Sequence, residues 1–164
     1  MSLYLTLEGE VRDIIRKNIW LILSTSSSKG VPQSSVVVYA SNGYVIYILT
    51  GKNTNKVRNI TMNPRVSVTI PFYKNLLHRM ISVAPPAAIS FRAQVETVDF
   101  RDDTATELYQ RVLKFKLPED IGKNSVWLKL TPGNSATCHG VGVSLFELRD
   151  PEKAHKIIKL TNTR

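Results

Sequence analysis

From Tyr44 to Ile70 the chain switches from strand to helix and back to strand. Tyr44–Leu49 is an apolar run of strand length. A short polar loop follows, and the segment from Thr54 reads as a helix that stops at Asn63-Pro64. Arg65–Ile70 then alternates, with Val66, Val68 and Ile70 on one side and Ser67 and Thr69 on the other, the pattern of a half-buried strand. Within this stretch Thr50–Arg65 carries the chemistry. Thr54 suits an N-cap, where its hydroxyl accepts from an N–H of the first turn. Lys56 falls in that first turn, where a cation adds to the positive end of the helix dipole, a few tenths of a kcal/mol in the wrong direction, roughly. The placement makes sense if an anion is held there, because free N–H groups, a hydroxyl and an ammonium together suit phosphate.

Charge supports an anionic partner. The sequence carries a net charge of +9, with a pI of about 9.8. No Asp or Glu occurs from Ile14 through Val95, whereas ten Lys or Arg do. A cleft lined by that stretch has a positive potential. A phosphorylated small molecule, a nucleic acid and an acidic membrane surface are the three classes of partner that fit.

The flanking sequence is read in the same way. At 164 residues and 43% hydrophobic content, one folded domain is expected. Cys138 is the single cysteine, so no internal disulfide forms, and a cytoplasmic location is expected. No charged-then-apolar leader opens the chain. The uncharged run Val31–Gly51 is broken by Pro32, Gln33, several serines and Asn42-Gly43, so it reads as two strands and not as a membrane helix.

Leu7–Asn18 is an amphipathic helix by its Val11, Ile14 and Ile15 spacing. Ile19–Ser24 and Val31–Ala40 are strands, and Asn42-Gly43 predicts a type I′ hairpin turn into Tyr44–Leu49. Phe72–Pro86 is irregular, with Pro85-Pro86 extended. Ala87–Val98 is a long strand with Phe91, Ala93 and Val95 on its apolar face. Thr104-Ala105-Thr106-Glu107 fits a capping box for a helix running to about Phe115, which buries Leu108, Val112 and Phe115. Val126–Leu130 is a strand, Pro132-Gly133 a turn and Gly140–Leu148 a closing strand. Asp150-Pro151 opens a basic C-terminal helix over 151–160. The expected class is therefore mainly β with flanking helices, six or seven antiparallel strands able to close into a small barrel.

Gly30-Val31-Pro32-Gln33, the Asn42-Gly43 hairpin, Thr50, then Thr54-Asn55-Lys56-Val57-Arg58-Asn59-Ile60 and Asn63-Pro64-Arg65-Val66 form one ordered series. It resembles the pyridoxamine 5′-phosphate oxidase-like superfamily, the FMN-binding split β-barrels, closely over Ile19–Ile70 and more loosely through Ala87–Asp103. The resemblance implies a homodimer with FMN in clefts between the subunits, and an oxidoreductase. It implies that Lys56 and Thr54, with Asn55 between them, hold the phosphate. Ser34, Ser35, Val36 and Val37 then border the ring and ribityl chain, and Leu49 and Thr50 lie on the neighbouring strand. The true oxidases carry an Arg on the second strand and an Arg- and Trp-rich end, where this chain has Gln33-Ser34-Ser35 and Pro132-Gly133-Asn134-Ser135. FMN binding therefore fits better than vitamin oxidation, and a deazaflavin fits the same pattern.

No pair of side chains suggests itself for general acid–base work, and no catalytic residue is assigned. Cys138 and His139 are adjacent on a strand and point to opposite faces, which excludes a nucleophile-and-base pairing. His78, His139 and His155 lack metal-ligand spacing, so no metal site is expected. A non-catalytic flavin carrier and a basic nucleic-acid-binding barrel are the rival classes, although the tyrosines cluster in one hairpin and form no stripe with Arg.

Overall fold

Strand follows apolar alternation along most of the chain. In the computed structural model, which describes residues 6–80, 86–114, 116–118 and 121–161, eight strands form one antiparallel sheet. They are β1 (Trp20–Ser26), β2 (Pro32–Val38), β3 (Ala40–Ser41), β4 (Ile46–Gly51), β5 (Arg65–Phe72), β6 (Ala87–Val98), β7 (Ser125–His139) and β8 (His155–Lys159). The helices are α1 (Leu7–Lys17), α2 (Asn55–Met62), α3 (Leu76–Met80), α4 (Asp103–Leu113) and the single turn α5 (Pro151–Ala154). Neighbouring strands run β2-β1-β5-β6-β7-β4-β3, with β8 also on β7. Only Tyr39 separates β2 from β3, yet they lie at opposite ends of that path. The sheet must curl to bring its ends together, and it forms a half-barrel. Among the described residues no helix is long and apolar enough to cross a membrane.

Period-two alternation sorts the side chains onto two faces. Leu21, Leu23, Ile46, Ile48, Val66, Val68, Ile70, Phe91, Val95, Leu128 and Leu130 fill the inside, and Val11 and Ile15 of α1 close it at one end. Each such side chain contributes about 1.5–3 kcal/mol by leaving water. Tyr39 is buried there and donates its hydroxyl to the Ile15 carbonyl at 2.8 Å. A second cluster lies on the outside of β3, β4 and β7, where Tyr47 and Trp127 pack under Ala105, Leu108 and Tyr109 of α4. Among the described residues that cluster reaches the outer face of β2 and β6 only at Val38 and Val98.

The strand β6 and the start of β5 fall where alternation puts them, and α2 ends at Met62, before Asn63-Pro64. Other expectations are corrected. The run Val31–Ala40 breaks at Tyr39 into β2 and β3. The turn after β3 is a four-residue loop and not type I′. Ser41 and Ile46 are paired, and among residues 42–45 only Gly43 (φ +97°) has a positive φ. Side chains set that loop: Asn42 Oδ1 accepts from the N–H groups of Tyr44 and Val45, both at 2.9 Å, and Ser41 Oγ accepts from Gly43 N–H. Helix α4 starts before Thr104, because Asp102 is the cap and accepts from Ala105 N–H at 2.7 Å. Phe115 lies outside the described residues, as does Pro85.

Pro132-Gly133 is no turn, since β7 continues past it. Phe91 pairs with Ala136 and Ala93 with Pro132, so Gly133, Asn134 and Ser135 bulge opposite Arg92 alone. Gly140–Leu148 is not a strand. Gly140 (φ +86°) and Gly142 (φ +65°) sit in the left-handed region, which ends the extended chain, and a single 3₁₀ turn follows at Glu147–Arg149. Asp150 caps α5 as expected, but the helix stops at Ala154 and residues 155–159 pair with β7 as β8. The free edge of β7 outcompetes the local helical pattern.

Candidate functional site

Helix α2 hangs between β4 and β5, and its first turn faces the inner side of β1 and β2. Thr54 occupies the N-cap position with extended backbone (ψ 154°), but its hydroxyl donates to the Gly51 carbonyl at 3.0 Å. The side-chain cap expected from the sequence is therefore not made, and no side chain caps the first turn of α2. The N-terminal N–H groups keep their donor capacity and the dipole its positive end.

These groups open on a recess of about 300 Å³ lined by Thr25, Gln33, Ser35, Asn53, Thr54, Asn55, Lys56 and Arg58. Among the described residues its lining is polar, with two cations and no carboxylate. Lys56 Nζ lies 3.5 Å from Thr50 Oγ1 and makes no ion pair among the described residues. Arg58 Nη2 donates to Asn55 Oδ1 at 2.7 Å. Thr25 is buried and accepts from Asn59 Nδ2 at 3.0 Å, and Asn59 also reaches Gln33 Oε1 at 3.5 Å. That chain ties α2 to β1 and β2 and fixes the height of Lys56 above the sheet.

The sequence-predicted residues divide by face. Lys56, Thr54, Asn55 and Ser35 meet in the recess, and Thr50 touches it through Lys56. Val37 lies on the same side of β2 but packs on the inner core. Ser34 and Val36 are on the outer side. Ser34 Oγ is 2.8 Å from Ser24 Oγ, and Val36 is 68% exposed. Leu49 packs with the outer cluster around Trp127. Thr25, Gln33 and Asn59 were not singled out from the sequence as site residues. The signal for Asn59 is its spacing, one helical turn after Lys56, which puts both on one face. Thr25 carries no local signal, since only the β1–β2 pairing Thr25↔Gln33 brings it there.

The donor set fits a phosphate: an ammonium, uncapped N–H groups and neutral amides and hydroxyls. Burial pushes the Cys138 thiol up to about 11, and His139 lies on the opposite face of β7. Larger recesses lie elsewhere, two on the outer face around Arg92, one beside α1 around Arg12 and Tyr44, and one around Lys52 and Lys123.

Several solved structures share this architecture. An F420 reductase is 20% identical at a TM-score of 0.56, over 74% of this chain and 92% of that one. HutZ, a heme storage protein from Vibrio cholerae, is 20% identical at a TM-score of 0.63, over 83% and 96%. General Stress Protein 26 from Bacillus anthracis is 18% identical at a TM-score of 0.62, over 94% and 98%. At such identities the likeness is one of fold. No curated protein matches the sequence. The family model for pyridoxamine 5′-phosphate oxidase matches residues 7–134, a span that runs from α1 into β7 and holds the whole Lys56 recess. With the half-barrel and this match in agreement, the chain belongs to the pyridoxamine 5′-phosphate oxidase family.

Proposed function

We propose that the chain is an FMN-binding flavoprotein, folded as one domain and acting as an oxidoreductase. The observation that carries this reading is the acid-free polar recess at the uncapped start of α2, with Lys56 on it. Lys56, with Thr54 and Asn55 beside it, holds the cofactor phosphate. Ser35 and Thr50 face the ribityl side with Val37 next along the same face of β2, while Ser34, Val36 and Leu49 point to the outer side and reach the cofactor only across the proposed subunit interface. Flavin, when bound, supplies the electron transfer, and the protein supplies position and field. No side chain is assigned an acid or base role.

The reading includes a homodimer with the cofactor at the subunit interface. The open outer face of β1 and β2 supports it. Trp20 and Val36 are 53% and 68% exposed there, and the register Trp20↔Val38, Ile22↔Val36 makes them diagonal neighbours. An apolar strip of that kind suits a second copy of the chain.

A deazaflavin is the second reading, favoured by the F420 reductase among the similar structures. The absorption spectrum of the purified protein, with mass identification of the released chromophore, separates the two. A two-banded flavin spectrum and the mass of FMN are expected. A deazaflavin mass selects the second reading, and a heme spectrum overturns both.

A further inference from the structure

We propose that Arg58 is a second cation of the Lys56 recess, held there by Asn55 with its charge uncancelled, and that the two cations select a terminal, doubly charged phosphate over one esterified onward. This role rests on the flavin reading of the same recess and narrows the cofactor it takes. Helix α1 sets the contrast. Its three cations, Arg12, Arg16 and Lys17, each pair with an acid three or four residues earlier. Glu8 answers Arg12 at 3.3 Å, and Asp13 answers Arg16 at 2.7 Å and Lys17 at 3.3 Å. Helix α2 carries Lys56 and Arg58, and neither makes an ion pair among the described residues.

Arg58 nevertheless has a partner in the same place as Arg16 does. Its Nη2 donates to Oδ1 of the residue three positions earlier, at the same 2.7 Å. That residue is Asn55, the neutral counterpart of Asp in shape. An Asp there would add an ion pair and set a negative charge at the positive end of the dipole, so Asn forgoes both. What Asn keeps is the pose, with the guanidinium turned back to the first turn and lining the recess beside Lys56. Among the described residues β1 adds only Thr25 to that lining, β2 only Gln33 and Ser35, and the loop before α2 only Asn53 and Thr54. None of these titrates near neutral pH. Two fixed positive charges are left for the ligand. A terminal phosphate ester carries close to two negative charges above its second pKa of about 6. A phosphate esterified on both sides carries one. A guanidinium and an ammonium together match the first. FMN ends in such a phosphate, whereas in FAD the same phosphate continues into a pyrophosphate.

Fluorescence titration of the cofactor-free protein with FMN, FAD and riboflavin, at about pH 5 and about pH 7.5, tests the selection on either side of that ionisation. FMN should bind about tenfold more tightly at the higher pH, where its phosphate has gained the second charge, and FAD and riboflavin should show no such gain. Arg58→Gln should weaken FMN about tenfold at the higher pH and flatten its pH dependence, with riboflavin within about twofold of the parent. Asn55→Asp should melt no lower than the parent without ligand, which shows that it folds, and should weaken FMN to a similar degree. FMN binding that ignores pH, FAD binding as tight as FMN, or either variant binding FMN as the parent does would overturn the selection and leave the flavin reading standing. A parent protein that binds none of the three overturns the flavin reading and the selection with it.

Discussion

A lysine in the first turn of a helix stands against the dipole, and among the described residues no carboxylate lines the recess of Lys56 to offset that. Glu8 is the opposite case, an acid in the first turn of α1 with its partners built in. Its carboxyl accepts from Thr161 N–H at 2.6 Å and Thr161 Oγ1 at 3.0 Å, and it pairs with Arg12 at 3.3 Å. The Thr161 N–H above all, then the hydroxyl and the guanidinium, hold it below the usual 4.5. A carboxyl lowered in the folded state stabilises fully above its unfolded value, and that contribution is lost as pH falls through the lower folded one. Glu8→Gln should therefore shift the urea midpoint at pH 7, and the difference from the parent should shrink as pH falls below about 4.5. A difference that stays constant down to pH 3 would show that Glu8 acts by packing alone.

Elements were legible where local pattern and tertiary demand agree. Strand β6 needed only its alternation, and α2 needed only the proline after it. The boundaries that were missed have long-range or competing causes. Thr104-Ala105-Thr106-Glu107 satisfies a capping pattern, but Asp102 makes the bond, at 2.7 Å to Ala105 N–H. Asp102→Ala should then cost about 1 kcal/mol in chemical denaturation, and Thr104→Ala should cost nothing measurable. The reverse ranking would return the cap to Thr104. The segment 155–159 became a strand because β7 presents an edge that no neighbouring residue announces. The candidate site divides in the same way. Lys56, Thr54 and Asn55 were readable because one loop and one helix start carry them. Thr25 depends on the register of β1 against β2, and the hydroxyl of Thr54 was claimed by the Gly51 carbonyl instead of the helix.

At the scale of the whole molecule, curling of the sheet sets the two faces their tasks. Among the described residues the inside is filled by the core and by α1. Cofactor binding is proposed at the rim beside α2, which leaves the open outer face to a second copy. The proposed dimer uses that face, and its mass in solution should be twice the 18.4 kDa of the chain. Trp20→Glu should halve it, whereas a parent protein that is monomeric with flavin bound would contradict the dimer. Everything proposed about function rests on a phosphate gripped where the loop after β4 winds into α2. Fluorescence titration of FMN into the parent protein and Lys56→Ala addresses this directly. The account predicts affinity lower by about tenfold or more in the variant, as a charge-assisted bond of roughly 1.5–3 kcal/mol requires, with thermal unfolding of the cofactor-free protein unchanged. Equal affinity in the two proteins would contradict it.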